Sequence, residues 1–167
     1  MARVLVKYLM ISGNAVIHLF YCSNSMTESE AQSLQDWFGG DGLRMLSLPC
    51  SGKMTIPYLL KAFEMGAEGI VICSCPPAEC KHLEGHLRAS KRAEAVDGLM
   101  DEIGLGTGRV LIITKGQGNV KTVIDGIEHF RKGLSVVPAS SGAKPIRAVA
   151  TSIKPGAGAG DRRENAA

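Results

Sequence analysis

What most constrains this chain is the regular alternation of short apolar runs with longer stretches of helical period. The runs AVIHLFYC (15–22), LRMLSLPC (43–50), GIVICSC (69–75) and RVLIIT (109–114) have strand length and are rich in β-branched and aromatic residues. Between them lie TESEAQSLQDWF (27–38), TIPYLLKAFEMG (55–66) and a long segment, 79–103, all read as helix; NVKTVIDGIEHFRKGL (119–134) follows the last run. Strands separated by helices of this length are joined by crossovers. The expected fold is therefore α/β, a single small domain with a four-stranded, mostly parallel sheet flanked by helices, flavodoxin-like or Rossmann-like in layout.

Local signals agree with that frame. Thr27 and Glu30 have capping-box spacing, the GGDG at 39–42 stops the first helix, Pro57 falls in the first turn of the second and Gly66 sits at its end. After Gly133 the composition turns to Ala, Gly, Ser and Pro without strand or helix period, too little apolar surface to offset chain entropy. The expected division is an N-terminal extension at 1–14, an α/β domain at 15–134, and a tail at 135–167 that is extended or disordered unless it orders against a partner subunit.

With 167 residues, the chain has enough length for one ordinary core. Its net charge of +3 comes from 19 basic and 16 acidic residues spread along the sequence, with one Trp, three Tyr and four Phe to stack on bases, so nucleic acid is not an expected partner. The apolar N-terminus is interrupted by Lys7, Ser12-Gly13-Asn14 and His18, far short of the roughly 18–20 apolar residues of a span, so neither membrane insertion nor a signal peptide is expected. Cytoplasm is the expected location. There thiols stay reduced, and an odd count of five cysteines points away from a disulfide framework toward metal or redox chemistry.

The cysteines fall at telling places. If the strands run in one direction, Cys22, Cys50 and Cys75, at or just past the ends of the first three, share one edge of the sheet, and Cys80 is expected to open the next helix on that edge. This carboxyl edge is where open α/β sheets hold ligands. Cys73, inside its strand, reads as core filler. Structural zinc favours pairs of short Cys-x2-4-Cys knuckles, whereas this chain has one Cys-x4-Cys pair and two remote cysteines. That pattern suits a [2Fe–2S] cluster better, and a helix N-terminus at Cys80 would favour thiolate. A reactive cysteine with His82 as its base is another use of a thiol, but one nucleophile needs no three companions.

Other motifs are weaker. GLGTG (104–108) and GQGN (116–119) are glycine-bearing loops without a complete phosphate fingerprint, and SGKM (51–54) lacks the rest of a P-loop. HLRASKR (86–92) reads as a solvated helical face or a docking surface for an acidic partner, and His82 and His86 stand four apart on the expected helix.

The segment LPCSGKMTIPYLLKAFEMGAEGIVICSCPPAECKHLEGHLRASKR resembles the delta subunit family of methyl-viologen-reducing hydrogenase. The resemblance spans roughly 15–134 and rests on Cys-Ser-Gly-Lys at 50–53, KAFEMGAEGI, the Cys75-x4-Cys80 pair followed by Gly85, Lys91-Arg92 and Tyr21-Cys22. It implies a [2Fe–2S] cluster on Cys22, Cys50, Cys75 and Cys80, the four that strand placement also selects. Ser25, where the family often has a further cysteine, and Pro76 and Lys81, at family positions rich in His, depart from the pattern.

The function implied is electron transfer in an anaerobic oxidoreductase complex rather than catalysis by this chain alone. The implied partners are a heterodisulfide-reductase-A-like flavoprotein subunit and a hydrogenase or formate dehydrogenase. Two other classes are weighed beside it. A structural zinc scaffold would be colourless and redox-silent; a small flavin-binding module would want Ser, Thr and Gly in the strand-end loops where this chain carries thiols.

Overall fold

A computed structural model describes residues 15–39, 42–116 and 120–136. Four parallel strands, β1 (Ile17–Cys22), β2 (Leu43–Leu48), β3 (Gly69–Ser74) and β4 (Val110–Thr114), form one sheet in the order β2-β1-β3-β4. Helices α1 (Glu28–Phe38), α2 (Ile56–Glu64), α3 (Gly85–Glu102) and α4 (Val120–Val136) alternate with them. The expected α/β class and parallel sheet are thus observed, and every strand pair is parallel. The expected extension at 1–14 and the tail beyond Val136 lie outside the described residues.

Strand alternation divides the core into two layers. Ile17, Leu19, Val71 and Cys73 face a cluster that includes Ala31 and Leu34 of α1 and Val123, Ile127 and Leu134 of α4. Phe20, Ile70 and Ile72 pack with Leu59 and Ala62 of α2 and Ala89, Ala93, Val96 and Met100 of α3. Successive side chains of a strand point to opposite faces, so a near-continuous apolar run such as β3, buried at all six positions, belongs at the middle of a sheet covered on both sides.

Local chemistry sets the helix ends. Thr27 caps α1: its hydroxyl accepts from Glu30 N–H at 3.3 Å, and the Glu30 carboxylate accepts from Thr27 N–H at 2.9 Å. Gly39 closes the same helix in the left-handed region at φ 70°, where a side chain would be strained. No helix among the described residues is long and apolar enough to cross a membrane.

One expectation fails. The segment 79–103 is not a continuous helix: Pro77–Glu79 form a short 3-10 turn, 80–84 are a loop, and α3 begins only at Gly85. Cys80 therefore does not open a helix, and His82 is not on α3 with His86. The chain breaks at Leu83, the only described non-glycine residue at positive φ, 55°. The break lets Gly85 sit against Gly52, where a Cβ added at Gly52 would lie 2.7 Å from Gly85 Cα.

The sheet order creates a switch point. From β1 the chain crosses to β2 on one side and then to β3 on the other, so the crevice beyond the carboxyl ends of β1 and β3 is flanked by loops leaving in opposite directions. Ligands of open α/β sheets sit at such a crevice.

Candidate metal centre

Cys22 ends β1, Cys75 follows β3, and Cys80 lies in the loop after it; the three form one buried cluster. Cys50, in the connection after β2, approaches the same spot. A Cβ added at Gly85 would lie 2.6 Å from Cys50 Sγ and 3.3 Å from Cys80 Sγ, so both thiols reach the face of α3 left open by the missing side chain. The structure thus brings together all four residues singled out from the sequence, and all are buried and free of disulfides. Cys73 is packed in the opposite layer of the core, with its sulfur 3.4 Å from Ser25 Oγ.

The electrostatics of the thiols are unequal. Burial, then the neighbouring Cys80 and Cys22, pushes the Cys75 thiol up to about 12. Cys80 is held down to about 6, first by the His86 side chain and then by the backbone N–H groups of His82 and His86. These contacts do for Cys80 what the expected helix terminus does not. Burial raises the Cys73 thiol despite its contact with Ser25, as suits a packing residue. The Cys22 thiol donates to Pro49 O at 3.8 Å.

Two buried hydroxyls next in sequence to these cysteines have no hydrogen-bond partner among the described residues: Ser51 Oγ, beside Cys50, and Ser74 Oγ, beside Cys75. Leaving a buried polar group unmatched costs about 1–3 kcal/mol. A thiolate-held anionic group would supply acceptors at this spot, so the donor set fits a metal–sulfur centre. Among the described residues, no group of three or more His, Cys, Asp or Glu side chains stands in an arrangement that could hold a metal ion as it is.

The loops that carry the thiols are braced by residues whose part the sequence reading missed. Arg92, read there as part of a solvated face, is half-buried and donates from Nη1 to Gly52 O at 2.7 Å and to Met54 O, clamping the Cys50 loop to α3. Lys115, just past β4, has a fully buried side chain whose Nζ donates to Ser25 O at 2.9 Å, Gly116 O at 3.1 Å and Glu30 Oε1 at 2.8 Å. It ties the turn after Cys22 to the end of β4. Asn24 Nδ2 donates to Glu79 O at 2.9 Å, joining that turn to the loop before Cys80.

Of these residues, only Arg92 carried a signal in the sequence, through the Lys91-Arg92 pair of the family resemblance, because such roles depend on carbonyls far away along the chain. The glycine loop 104–108 is used internally: Asp97 accepts from the N–H groups of Gly108, Arg109 and Val110 at 2.9, 2.6 and 3.1 Å. Of GQGN, residues 117–119 lie outside the described residues.

A parallel α/β domain that gathers four free thiols at its carboxyl edge, flanked by unmatched donors, is a small protein built around a polythiol site. The chain belongs to the family described as methyl-viologen-reducing hydrogenase, delta subunit, whose profile matches residues 17–137. It is 37% identical over 68 residues to the vhu iron-sulfur subunit of the F420-non-reducing hydrogenase of Methanocaldococcus jannaschii, covering 41% of this chain and 51% of the relative. The corresponding protein of Methanococcus maripaludis is 34% identical over 68 residues, with the same coverage.

A subunit of the Ferredoxin:CoB-CoM heterodisulfide reductase of Methanosarcina mazei is 29% identical over 95 residues, which are 57% of this chain and 12% of that protein. The chain spans about half the length of the curated iron–sulfur subunits it matches.

Proposed function

We propose that the chain is an electron-transfer subunit in which Cys22, Cys50, Cys75 and Cys80 hold a [2Fe–2S] cluster. It would relay single electrons between the iron–sulfur chain of one oxidoreductase partner and a heterodisulfide-reductase-A-like flavoprotein subunit. The observation that carries this reading is the convergence of the thiols at one edge of the sheet: Cys22, Cys75 and Cys80 form one buried cluster, and Cys50 and Cys80 both reach the bare face of Gly85. A bound [2Fe–2S] cluster supplies reversible one-electron chemistry, with a potential set by net charge, hydrogen bonds to sulfur and exposure.

The chain's own residues have definable parts. The four thiols bind; Arg92 and Lys115 orient the loops that carry them. Ser51 and Ser74, next in sequence to Cys50 and Cys75, carry buried hydroxyls that a bound cluster could accept from, and the His86 side chain acts on Cys80.

The relatives support the class of partner. Iron–sulfur subunits of F420-non-reducing hydrogenases match this chain, and a comparable segment occurs inside a much longer heterodisulfide reductase protein. A segment joined covalently to such a protein in one case would serve as its separate neighbour here, fed by a hydrogenase or formate dehydrogenase. Reduced thiols at a metal site fit a cytoplasmic setting.

The test is iron and acid-labile sulfide content of anaerobically purified protein, with electron paramagnetic resonance before and after dithionite. About two irons and two sulfides per chain, silent when oxidised and paramagnetic when reduced, is the expected result. Zinc without a signal would withdraw the electron-transfer reading in favour of a scaffold.

A further inference from the structure

Beside the thiols, the surface has a character that metal binding does not require. A cleft of about 360 Å³ opens over Cys50 and Gly85, lined by Gly52, Lys53, Lys81, His82, Leu83 and Arg88. Lys53, Lys81 and His82 are exposed, no carboxylate lines the cleft, and Arg88 is paired with Glu84 at 3.2 Å, so the unpaired charge of the rim lies on Lys53 and Lys81. The rim is therefore cationic. A cationic cleft next to a redox site draws in anionic surfaces and speeds their arrival, an effect that salt removes.

Leu83 stands at the tip of this rim, 82% exposed and at φ 55°. A turn that only needed positive φ would be served by glycine or asparagine without strain. A solitary exposed leucine is unremarkable on most surfaces. Here it combines a strained backbone with no compensating burial, three residues from Cys80, and strained positions of this kind cluster at ligand clamps and other functional sites. The two costs make sense if the leucine is buried when a second protein covers the cleft. Interfaces commonly set a desolvated apolar centre inside a polar rim.

We propose that Leu83, ringed by Lys53, Lys81, His82 and Arg88, is the docking face through which this subunit receives an acidic redox protein, with the leucine entering an apolar recess of the partner. The assignment rests on the electron-transfer reading and deepens it, because it places the exchange of electrons on the Cys50–Cys80 side of the site. Tunnelling weakens steeply with distance, and a partner seated over this cleft is brought against Cys50, which lines it.

The experiment uses the full-length, cluster-loaded chain, with iron content recorded for every sample. Dithionite-reduced protein is mixed in a stopped-flow instrument with ferricyanide or with hexaamminecobalt(III), each taking one electron from the protein. The rate with the anionic oxidant should fall about tenfold from low to high salt; that with the cationic oxidant should rise. In the double variant Lys53→Glu, Lys81→Glu the two trends should exchange. A loaded protein whose salt trends are the reverse of these, or unchanged in the double variant, overturns the docking face while leaving the cluster assignment standing. A chain that takes up no iron fails the functional reading instead.

Leu83→Gly removes the strain and the anchor together. The expected result is a protein with unchanged iron content and an equal or higher melting temperature, but about tenfold weaker binding to an acidic plant-type ferredoxin used as the probe. A variant that binds the ferredoxin as well as the parent, or that melts lower, makes Leu83 a folding element and refutes its role as anchor.

Discussion

Replacing Gly85 by alanine tests the geometry of the thiol site most directly. The new methyl would stand 2.6 Å from Cys50 Sγ and 3.3 Å from Cys80 Sγ, well inside ordinary contact for the first and tight for the second. Neither sulfur can retreat freely, because both side chains are buried and the Cys50 loop is clamped by Arg92. Overpacking of this kind costs about 1–3 kcal/mol. Helix propensity works the other way: alanine in place of glycine gains up to about 1 kcal/mol in a helix interior and less at the first position of α3.

Gly98 provides the control, since a Cβ there meets nothing within 4 Å on the same helix. Gly98→Ala should stabilise by about 1 kcal/mol, and Gly85→Ala should destabilise by about 1 kcal/mol or more. The two variants should separate by about 2 kcal/mol, or roughly 6 °C in Tm. Calorimetry of the metal-free chains reads that gap, and iron analysis with paramagnetic resonance reads the site. Gly85→Ala should also lose most of its iron, while Gly98→Ala keeps it. A Gly85→Ala protein with normal iron, an unchanged spectrum and the melting temperature of its control would show that the thiols do not converge there.

Three further outcomes are expected. Cys80→Ser or Cys75→Ser should abolish or alter the cluster spectrum, whereas Cys73→Ser should leave it intact and cost about 1 kcal/mol for a hydroxyl in the opposite core; an unaltered spectrum in Cys80→Ser would sink the ligand assignment. Lys115→Met should destabilise by about 3 kcal/mol in urea unfolding, the low end for a broken buried pair because Glu30 is partly exposed and keeps the Thr27 N–H; an unchanged midpoint would mean that Lys115 carries no structural burden. The third outcome concerns acid. Burial, and then Arg44, hold His18 below its ordinary value of 6.5, so the unfolded chain takes up a proton before the folded one does. The stability it confers is fully present above pH 6.5 and is lost as pH falls through the lower folded value. His18→Leu should flatten that decline in urea midpoints measured from pH 7 to pH 5, and an identical slope in both proteins would count against the assignment.

Much of this was readable from sequence, for identifiable reasons. Apolar runs such as GIVICS have one stable place in an α/β domain, and parallel strands necessarily share an edge, so Cys22, Cys50 and Cys75 could be put on one side without coordinates. The capping box at Thr27 is purely local and was equally visible. The stretch from Glu79 to Glu84 was not. It contains no glycine or proline to mark a break, and its residues suit a helix well enough. What breaks it is a tertiary demand, the meeting of Gly52 with Gly85, which no local preference records. Arg92 and Lys115 escaped for a related reason: a cation that holds backbone carbonyls looks, in sequence, like any other surface charge.

The position of Lys115 also has a consequence for how the protein is made. Synthesis runs from the N-terminus, and the chain emerging first contains β1, β2 and β3 with all four clustered thiols, while β4 and its lysine come later. During that interval the turn after Cys22 lacks the bonds from Lys115 to Ser25 and Glu30. The nascent domain would thus lack this tie at the end where the proposed cluster sits. On the proposed cluster reading, the bonds from Lys115 would form only after all four thiols have emerged, so the order of residues along the chain would let loading precede latching.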